Sequence, residues 1–325
     1  MFAYVSRIGK FTSWPLSLAV IVGTFGPTSL AQTPQLPIQP SIDEIVSHSA
    51  GQVRRYSKEF KDLLAKETKT IRIFDDKETL KKERVIVSNF LVYQASRGSG
   101  EITEFRSVLS VDAKPVSDVE KRAVELFERV SNAETTAGEL ERIHTEGWRY
   151  DDGLHIMGLT LFQGVALAEL DRESFLFEVV GREMLGNSDV YIIRYNQIKE
   201  TDLIREADKT SRPAVMIFDF DLDGIKSANP RLSGTFWIDA HNYQILREQR
   251  RLSLHPEGFD KPVVLASNEF EYSVSDFGIN IPKRIQYTQY RLDRKTRKPA
   301  KQIEFIFSYS DFSRPKVDVT SDKPM

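Results

Sequence analysis

Apolar residues recur at helical spacing along one early stretch of this chain and at alternate positions along most of the rest. Ser41-Ile-Asp-Glu44 opens the helical stretch as a capping box, the serine accepting from the third amide and the glutamate reaching back. Ile42, Ile45, Val46, Val53, Tyr56, Phe60, Leu63 and Leu64 then follow close to a 3.6-residue period. The pattern predicts one amphipathic helix from residue 41 to about 66. Two runs rich in β-branched and aromatic residues come next, 84–95 and 101–111, joined by Arg97-Gly-Ser-Gly100 and closed by Asp112-Ala-Lys-Pro115.

Helical text returns at Ser117-Asp-Val-Glu120, a second capping box, with Val119, Ala123, Leu126, Phe127 and Val130 as the buried stripe. A further helical stretch runs from 134 to about 148 and contains Leu140 and Ile143. The apolar segment 154–170 is ambiguous by period, and the Leu and Ala content near its end favours a buried helix over a strand. From residue 173 onward the text is almost entirely β. Strands are expected near 173–182, 189–198, 214–221, 232–239, 244–254, 264–275, 281–292 and 302–312.

Their connections carry turn residues at Gly186-Asn187, Asp223-Gly224, His241-Asn242 and Asp276-Phe-Gly278. These links are too short for parallel crossovers, so an antiparallel meander is expected. A sheet of about ten or eleven strands must curl or be covered. The expected fold is therefore α+β, a curved antiparallel half-barrel of about eleven strands with helices packed on its concave face. No Pro/Gly-rich linker divides residues 41–312, which read as one domain followed by a tail at 313–325.

The first residues carry a different message. Arg7 and Lys10 precede an apolar run from Trp14 to about Phe25, and Ser29 and Ala31 stand at the −3 and −1 positions before Gln32. That is the layout of a secretory signal peptide over residues 1–31. The apolar core is too short for a spanning helix and is interrupted by Pro15, Gly23 and Gly26. Residues 32–40 hold three prolines and no charge, an extended leader. The expected location is the periplasm or the exterior of a bacterium.

Composition narrows the chemistry. The 325 residues include 45 Lys and Arg, 47 Asp and Glu and no cysteine. That excludes thiol catalysis, thiolate metal sites and a disulfide scaffold. A net charge of −2, becoming −4 once Arg7 and Lys10 leave with the signal, argues against nucleic acid as the main partner.

Individual motifs are read against plainer alternatives. Asp219-Phe-Asp-Leu-Asp223-Gly224 imitates the start of a calcium loop, but Pro230 stands where the bidentate twelfth ligand is required. A strand with one acidic and one apolar face explains the same alternation. His48, His144, His155, His241 and His255 form no His-x-x-x-His pair. With no nucleophile elbow, phosphate loop or dinucleotide fingerprint either, the chain reads as a non-enzyme without cofactor or metal. Arg291, Arg294, Lys295, Arg297, Lys298 and Lys301 gather between the last two strands. They read as a solvated hairpin tip, with contact to an anionic membrane surface as the functional alternative.

Aromatic residues carry the remaining signal. On a two-residue period, Met216, Phe218 and Phe220 share a face, as do Phe236 and Ile238, Phe270 and Tyr272, and Phe305, Phe307 and Tyr309. They are core residues if the sheet is simply covered, and ligand-binding residues if the half-barrel stands partly open.

One hairpin has a recognisable form. Arg231-Leu-Ser-Gly-Thr-Phe-Trp-Ile-Asp239-Ala-His-Asn-Tyr-Gln-Ile-Leu-Arg247 is a strand ending in Gly-x-x-Trp-Ile-Asp, a tight turn and a return strand. It resembles the lipoprotein carrier and outer-membrane lipoprotein-sorting family. The stretches Phe105-Arg-Ser-Val108, Val111-Asp-Ala-Lys-Pro-Val116 and residues 120–127 resemble uncharacterised exported bacterial proteins of the same β shape. The resemblance implies an incomplete antiparallel barrel of about eleven strands. It also implies a carrier for a lipid or a lipoprotein acyl chain, and the chain is expected to be a monomer. The rival is an exported structural or interaction domain whose core is filled by its own side chains.

Overall fold

The computed structural model describes residues 39–94, 102–117, 145, 147–154, 156, 158–201, 203–206, 216–218, 227–256, 258–293 and 298–314. The chain divides into two units, Met1–Gln39 and Pro40–Met325, and the account below concerns the second.

Helix α1 spans Ile42–Glu59, and its capping box forms as the sequence predicts, with Ser41 accepting from the Glu44 amide and Glu44 from the Ser41 amide. The helix ends seven residues earlier than its apolar period suggests. The Phe60 amide returns to the Tyr56 carbonyl, Asp62 takes φ 52°, and the chain enters β1, Leu63–Phe74. That strand is absent from the sequence reading, which runs the helix through its first residues.

The remaining strands of the main sheet are β2 (Leu80–Gln94), β3 (Ile102–Val111), β4 (Lys114–Pro115), β5 (Phe175–Leu185), β6 (Ser188–Gln197), β9 (Ser227–Asp239), β10 (Ile245–Pro256), β11 (Val263–Val274), β12 (Asn280–Asp293) and β13 (Lys298–Ser313). Between β6 and β9 lie β7 (Ile204–Glu206) and β8 (Met216–Phe218). The sheet order is β4-β3-β2-β1-β13-β12-β11-β10-β9-β6-β5, eleven strands, open at both ends. Nearly all neighbours are antiparallel hairpin partners. The exceptions within the sheet are β1 with β13, registering Thr68 against Ser308, and β6 with β9, registering Tyr195 against Gly234. Register shifts interrupt most pairs, for example at Val87/Ser88, Val179/Gly181, Leu252/Ser253 and Glu271/Tyr272. Each inserted residue bends its strand and increases local twist, which curves so long a sheet into a half-barrel.

Two expectations need correction. The strand foreseen at 214–221 does not join the meander: β8 pairs in parallel with β7 in a separate two-stranded ribbon. The segment 154–170 is not a helix. Gly158 and Gly164 take φ 71° and 59°, and only short 3-10 turns form, at Leu159–Leu161, Val165–Leu167 and Arg172–Ser174. Left-handed glycines reverse the chain where a helix would continue. The second capping box beyond Ser117 and its stripe, residues 95–101 and most of 134–148 lie outside the described residues, although Thr145, Gly147 and Trp148 are helical.

One face of the sheet is covered by α1 and by segment 158–174. Ile45, Ala50, Val53 and Tyr56 of the helix and Val165, Ala166 and Leu167 of the segment enter one core with Phe90, Ile193, Phe236, Phe270, Ile285, Phe305 and Phe307 of the strands.

Candidate functional site

The covered face is not uniformly apolar. Strand alternation places Leu63, Ala65, Glu67, Lys69 and Ile71 of β1 on the same side, and all five are buried. The same alternation buries Glu104 and Arg106 on β3 and Glu248 and Arg250 on β10. Each strand thus contributes an acid and a base two residues apart, pointing at the segment that covers them.

Arg106 is the centre of the first group. Its Nε and Nη2 donate to the two oxygens of Glu67 at 2.7 and 2.8 Å, and its Nη1 donates to Glu104 at 3.0 Å. The guanidinium also stands 5.0 Å from the centroid of the Phe90 ring. Burial opposes its charge, but Glu67 and Glu104 outweigh burial and hold it firmly protonated. Lys69 grips both oxygens of Asp151, from the chain leading into the covering segment. Burial lowers the Lys69 pKa and raises that of Asp151, while each charge draws the other back toward its ionised form. Outside the core, Arg84 donates to the Tyr150 carbonyl at 3.0 Å and pairs with Asp152.

The second group is centred on Glu248. It accepts from Arg250 Nε at 2.8 Å, from the Tyr195 hydroxyl at 3.1 Å and from the Gly164 amide at 3.0 Å. Arg250 reaches on to the Phe162 carbonyl at 2.8 Å and lies 4.8 Å from the Phe270 centroid. Burial first, and Glu248 second, raise the Tyr195 hydroxyl well above the ordinary tyrosine range, so it donates as a neutral phenol.

These groups hold the covering segment by its main chain. Glu104 accepts from the amides of Gly158 and Thr160 at 3.0 and 3.2 Å and from the Thr160 hydroxyl. Tyr56 of α1 donates to the Thr160 carbonyl at 2.6 Å. Gly164 is pressed close enough that a Cβ there would stand 2.7 Å from Ile245 Cδ1 and from Val53 Cγ2. Chemically, the face provides carboxylate acceptors and a guanidinium donor at fixed places, set among aromatic rings.

Of the residues expected to bind a ligand, Phe236, Phe270, Tyr272, Phe305, Phe307 and Tyr309 come together on this face and are buried. Tyr195 stacks on Phe236 at 4.6 Å, Phe270 on Tyr272 at 6.2 Å and Phe305 on Phe307 at 6.2 Å. Met216 and Phe218 belong to the separate β7–β8 ribbon, and Phe220 lies outside the described residues. So do Asp219 to Lys226, which contain the calcium-like motif. Arg294, Lys295 and Arg297 are likewise outside them, while Lys298 is exposed at the start of β13 and Arg291 pairs with Asp76. Among the described histidines, His48 stacks on Tyr243 at 4.6 Å, His255 bonds the Phe259 carbonyl at 2.7 Å, and His241 is exposed in a turn.

The Gly-x-x-Trp-Ile-Asp hairpin has a physical explanation in each position. A Cβ at Gly234 would stand 2.1 Å from the Gln249 carbonyl and 2.4 Å from the Tyr195 hydroxyl, so only glycine admits the tyrosine that holds Glu248. Trp237 donates to Glu183 at 2.7 Å and stacks under Arg247, Ile238 enters the core, and Asp239 accepts the amides of His241 and Asn242 to form the turn. Sequence reasoning missed Glu67, Lys69, Glu104, Arg106, Glu248 and Arg250. Their signal is an acid and a base at i and i+2 on the face that flanking apolar residues bury.

No protein-family model matches this chain, and no curated protein matches it. Solved structures similar to it include a LolA superfamily protein from Nitrosomonas europaea, 10% identical over 86% of this chain and 95% of that one, with a TM-score of 0.33. A DUF1329 family protein from Desulfovibrio piger is 12% identical over 85% and 94%, with a TM-score of 0.29. A domain from Vibrio parahaemolyticus named for outer membrane lipoprotein sorting is 11% identical over 83% and 92%, with a TM-score of 0.29.

Proposed function

We propose that this chain is an exported, non-catalytic binding module whose covered sheet face receives a hydrophobic ligand when segment 158–174 lifts from it. The observation that carries this reading is the polar hold on the segment. A permanently filled core gains little from buried ion pairs, because the cost of desolvating them rivals their attraction. Anchors of this kind make docking of the segment all-or-none, and they lie among aromatic side chains suited to an apolar guest. Phe236, Phe270, Tyr272, Phe305, Phe307 and Tyr309 form the proposed contact surface, with Met216, Phe218 and Phe220 added on the sequence pattern alone. Burial of the guest supplies about 25 cal/mol per Å² of apolar surface removed from water. The basic residues Arg294, Lys295, Arg297 and Lys298 are proposed to meet an anionic membrane surface during transfer.

The rival reading, an interaction domain with a filled core, draws on the close packing of Val165, Ala166 and Leu167 beneath α1. Native mass spectrometry of the mature protein from its own periplasm, followed by organic extraction, separates the two. A stoichiometric apolar species is expected. A clean apo mass, with no uptake of lipid or apolar peptide when they are offered, supports the rival instead.

A further inference from the structure

Hydrogen bonds from the covered face and α1 reach the main chain of residues 158–164 at five places: the amides of Gly158, Thr160 and Gly164 and the carbonyls of Thr160 and Phe162. Side-chain bonds also join Glu104 to the Thr160 hydroxyl and Tyr272 to Gln163. The face therefore reads a polypeptide backbone. Glu104 and Glu248 are buried acceptors that keep their bonds from Arg106 and from Arg250 and Tyr195, but lose those from Gly158, Thr160 and Gly164 if the segment leaves and nothing with N–H groups replaces it. A hydrocarbon chain has no donor for either carboxylate and no acceptor for Arg250.

Resting on the proposed ligand-binding role of this face, we infer that its ligand is a polypeptide and that segment 158–167 is an internal copy of it. The ligand is a short apolar stretch that turns at two glycines six residues apart, as Gly158 and Gly164 do at φ 71° and 59°. Its amides bond Glu104 and Glu248, and a carbonyl bonds Arg250. Its side chains occupy the places of Val165, Ala166 and Leu167, which are at most 5% exposed. The glycine requirement is steric as well as conformational, since a Cβ at the second turn meets Ile245 and Val53 at 2.7 Å. The segment in cis holds the site by high local concentration, so a free peptide must compete with it.

The test uses the full mature protein and its Gly164→Val variant, which unseats the internal segment while leaving Glu104, Glu248 and Arg250 in place. A fluorescent peptide of residues 158–167, carrying terminal lysines for solubility, and a fluorescent fatty acid are titrated separately into each. The peptide is expected to bind the variant at least tenfold more tightly than the unsubstituted protein, and the fatty acid to show no such gain. Stoichiometric fatty-acid binding without peptide binding overturns this inference and leaves the ligand-binding role standing. Binding of neither by a folded variant overturns both. Should the variant fail to fold, hydrogen exchange on the unsubstituted protein decides. Millimolar peptide should accelerate exchange at the amides of Gly158, Thr160 and Gly164, and acceleration by palmitate alone refutes the inference.

Discussion

Replacing Arg106 with Met should destabilise the protein more than replacing either carboxylate it holds. The arginine is 5% exposed, and the Glu67 beside it is fully buried. Two bonds at 2.7 and 2.8 Å bind it to Glu67 and one at 3.0 Å to Glu104. Its removal strands two negative charges that face each other. Glu104 keeps its bonds from Gly158 and Thr160, so the larger share of the loss falls on Glu67. Breaking a buried pair in this way costs about 3–5 kcal/mol. Glu67→Leu leaves Arg106 with Glu104 and the Phe90 ring and should cost about 2 kcal/mol, the worth of the charged hydrogen bonds lost. The double variant E67L/R106M should be more stable than R106M alone by about 1 kcal/mol, which requires a coupling energy on the order of 3 kcal/mol, larger than the cost of E67L itself. Urea unfolding at pH 7, followed by tryptophan fluorescence and far-UV circular dichroism, measures all three. With an m-value of about 3 kcal/mol/M, R106M should lower the midpoint by more than about 1 M. The electrostatic reasoning is refuted if R106M lies within about 1 kcal/mol of the unsubstituted protein, or if adding E67L to R106M brings no recovery.

Other consequences can be measured with the same material. Gly234→Ala places a methyl 2.4 Å from the Tyr195 hydroxyl, and overpacking of this kind should cost about 3 kcal/mol in urea unfolding; an unchanged midpoint shows that the tyrosine does not need the glycine. Stability should fall as pH drops from about 4 toward 2. The Thr79 amide and then Lys81 hold Asp75 down to about 2, Arg182 lowers Asp189, and Lys301 and Arg72 overcome burial to lower Glu304. Folded values below unfolded ones give stability that is present above the unfolded pKa and lost on acidification. Asp151, raised by burial, contributes with the opposite sign. A midpoint constant from pH 5 to 2 refutes the assignment. On the proposed export, the intact mass of the protein should correspond to a chain beginning at Gln32, and retention of residues 1–31 would refute cleavage of a signal there.

The same residues explain why the sheet was legible in sequence and the site was not. Most of the late strands announce themselves by alternating apolar residues in the buried register, as Leu252 and Leu254 on β10 or Phe305 and Phe307 on β13 illustrate. Strand β1 reads Leu-Leu-Ala-Lys-Glu-Thr-Lys-Thr-Ile-Arg-Ile-Phe, with Glu67 and Lys69 in the buried register. Charges at those two places break the apolar period, and Leu63 and Leu64 continue the spacing of the preceding helix, so the strand is read as helix; β3 and β10 carry the same charged pair and are still legible from their flanking apolar residues. Segment 154–170 misleads for a related reason. Its composition suits a helix, but the amides of Gly158, Thr160 and Gly164 find better acceptors in Glu104 and Glu248 than in their own preceding carbonyls. The capping box at Ser41 was legible because it depends on neighbours three residues apart, whereas Arg106 and Glu67 meet across 39 positions.

The pairing of β1 with β13 has a consequence for the order in which the molecule can be made. Thr68 faces Ser308 near the middle of the sheet, so the earliest strand waits for the latest before the two halves become continuous. A chain synthesised from its N-terminus cannot complete this centre until the region around residue 313 has emerged. Closing so large a loop makes completion of the sheet slow.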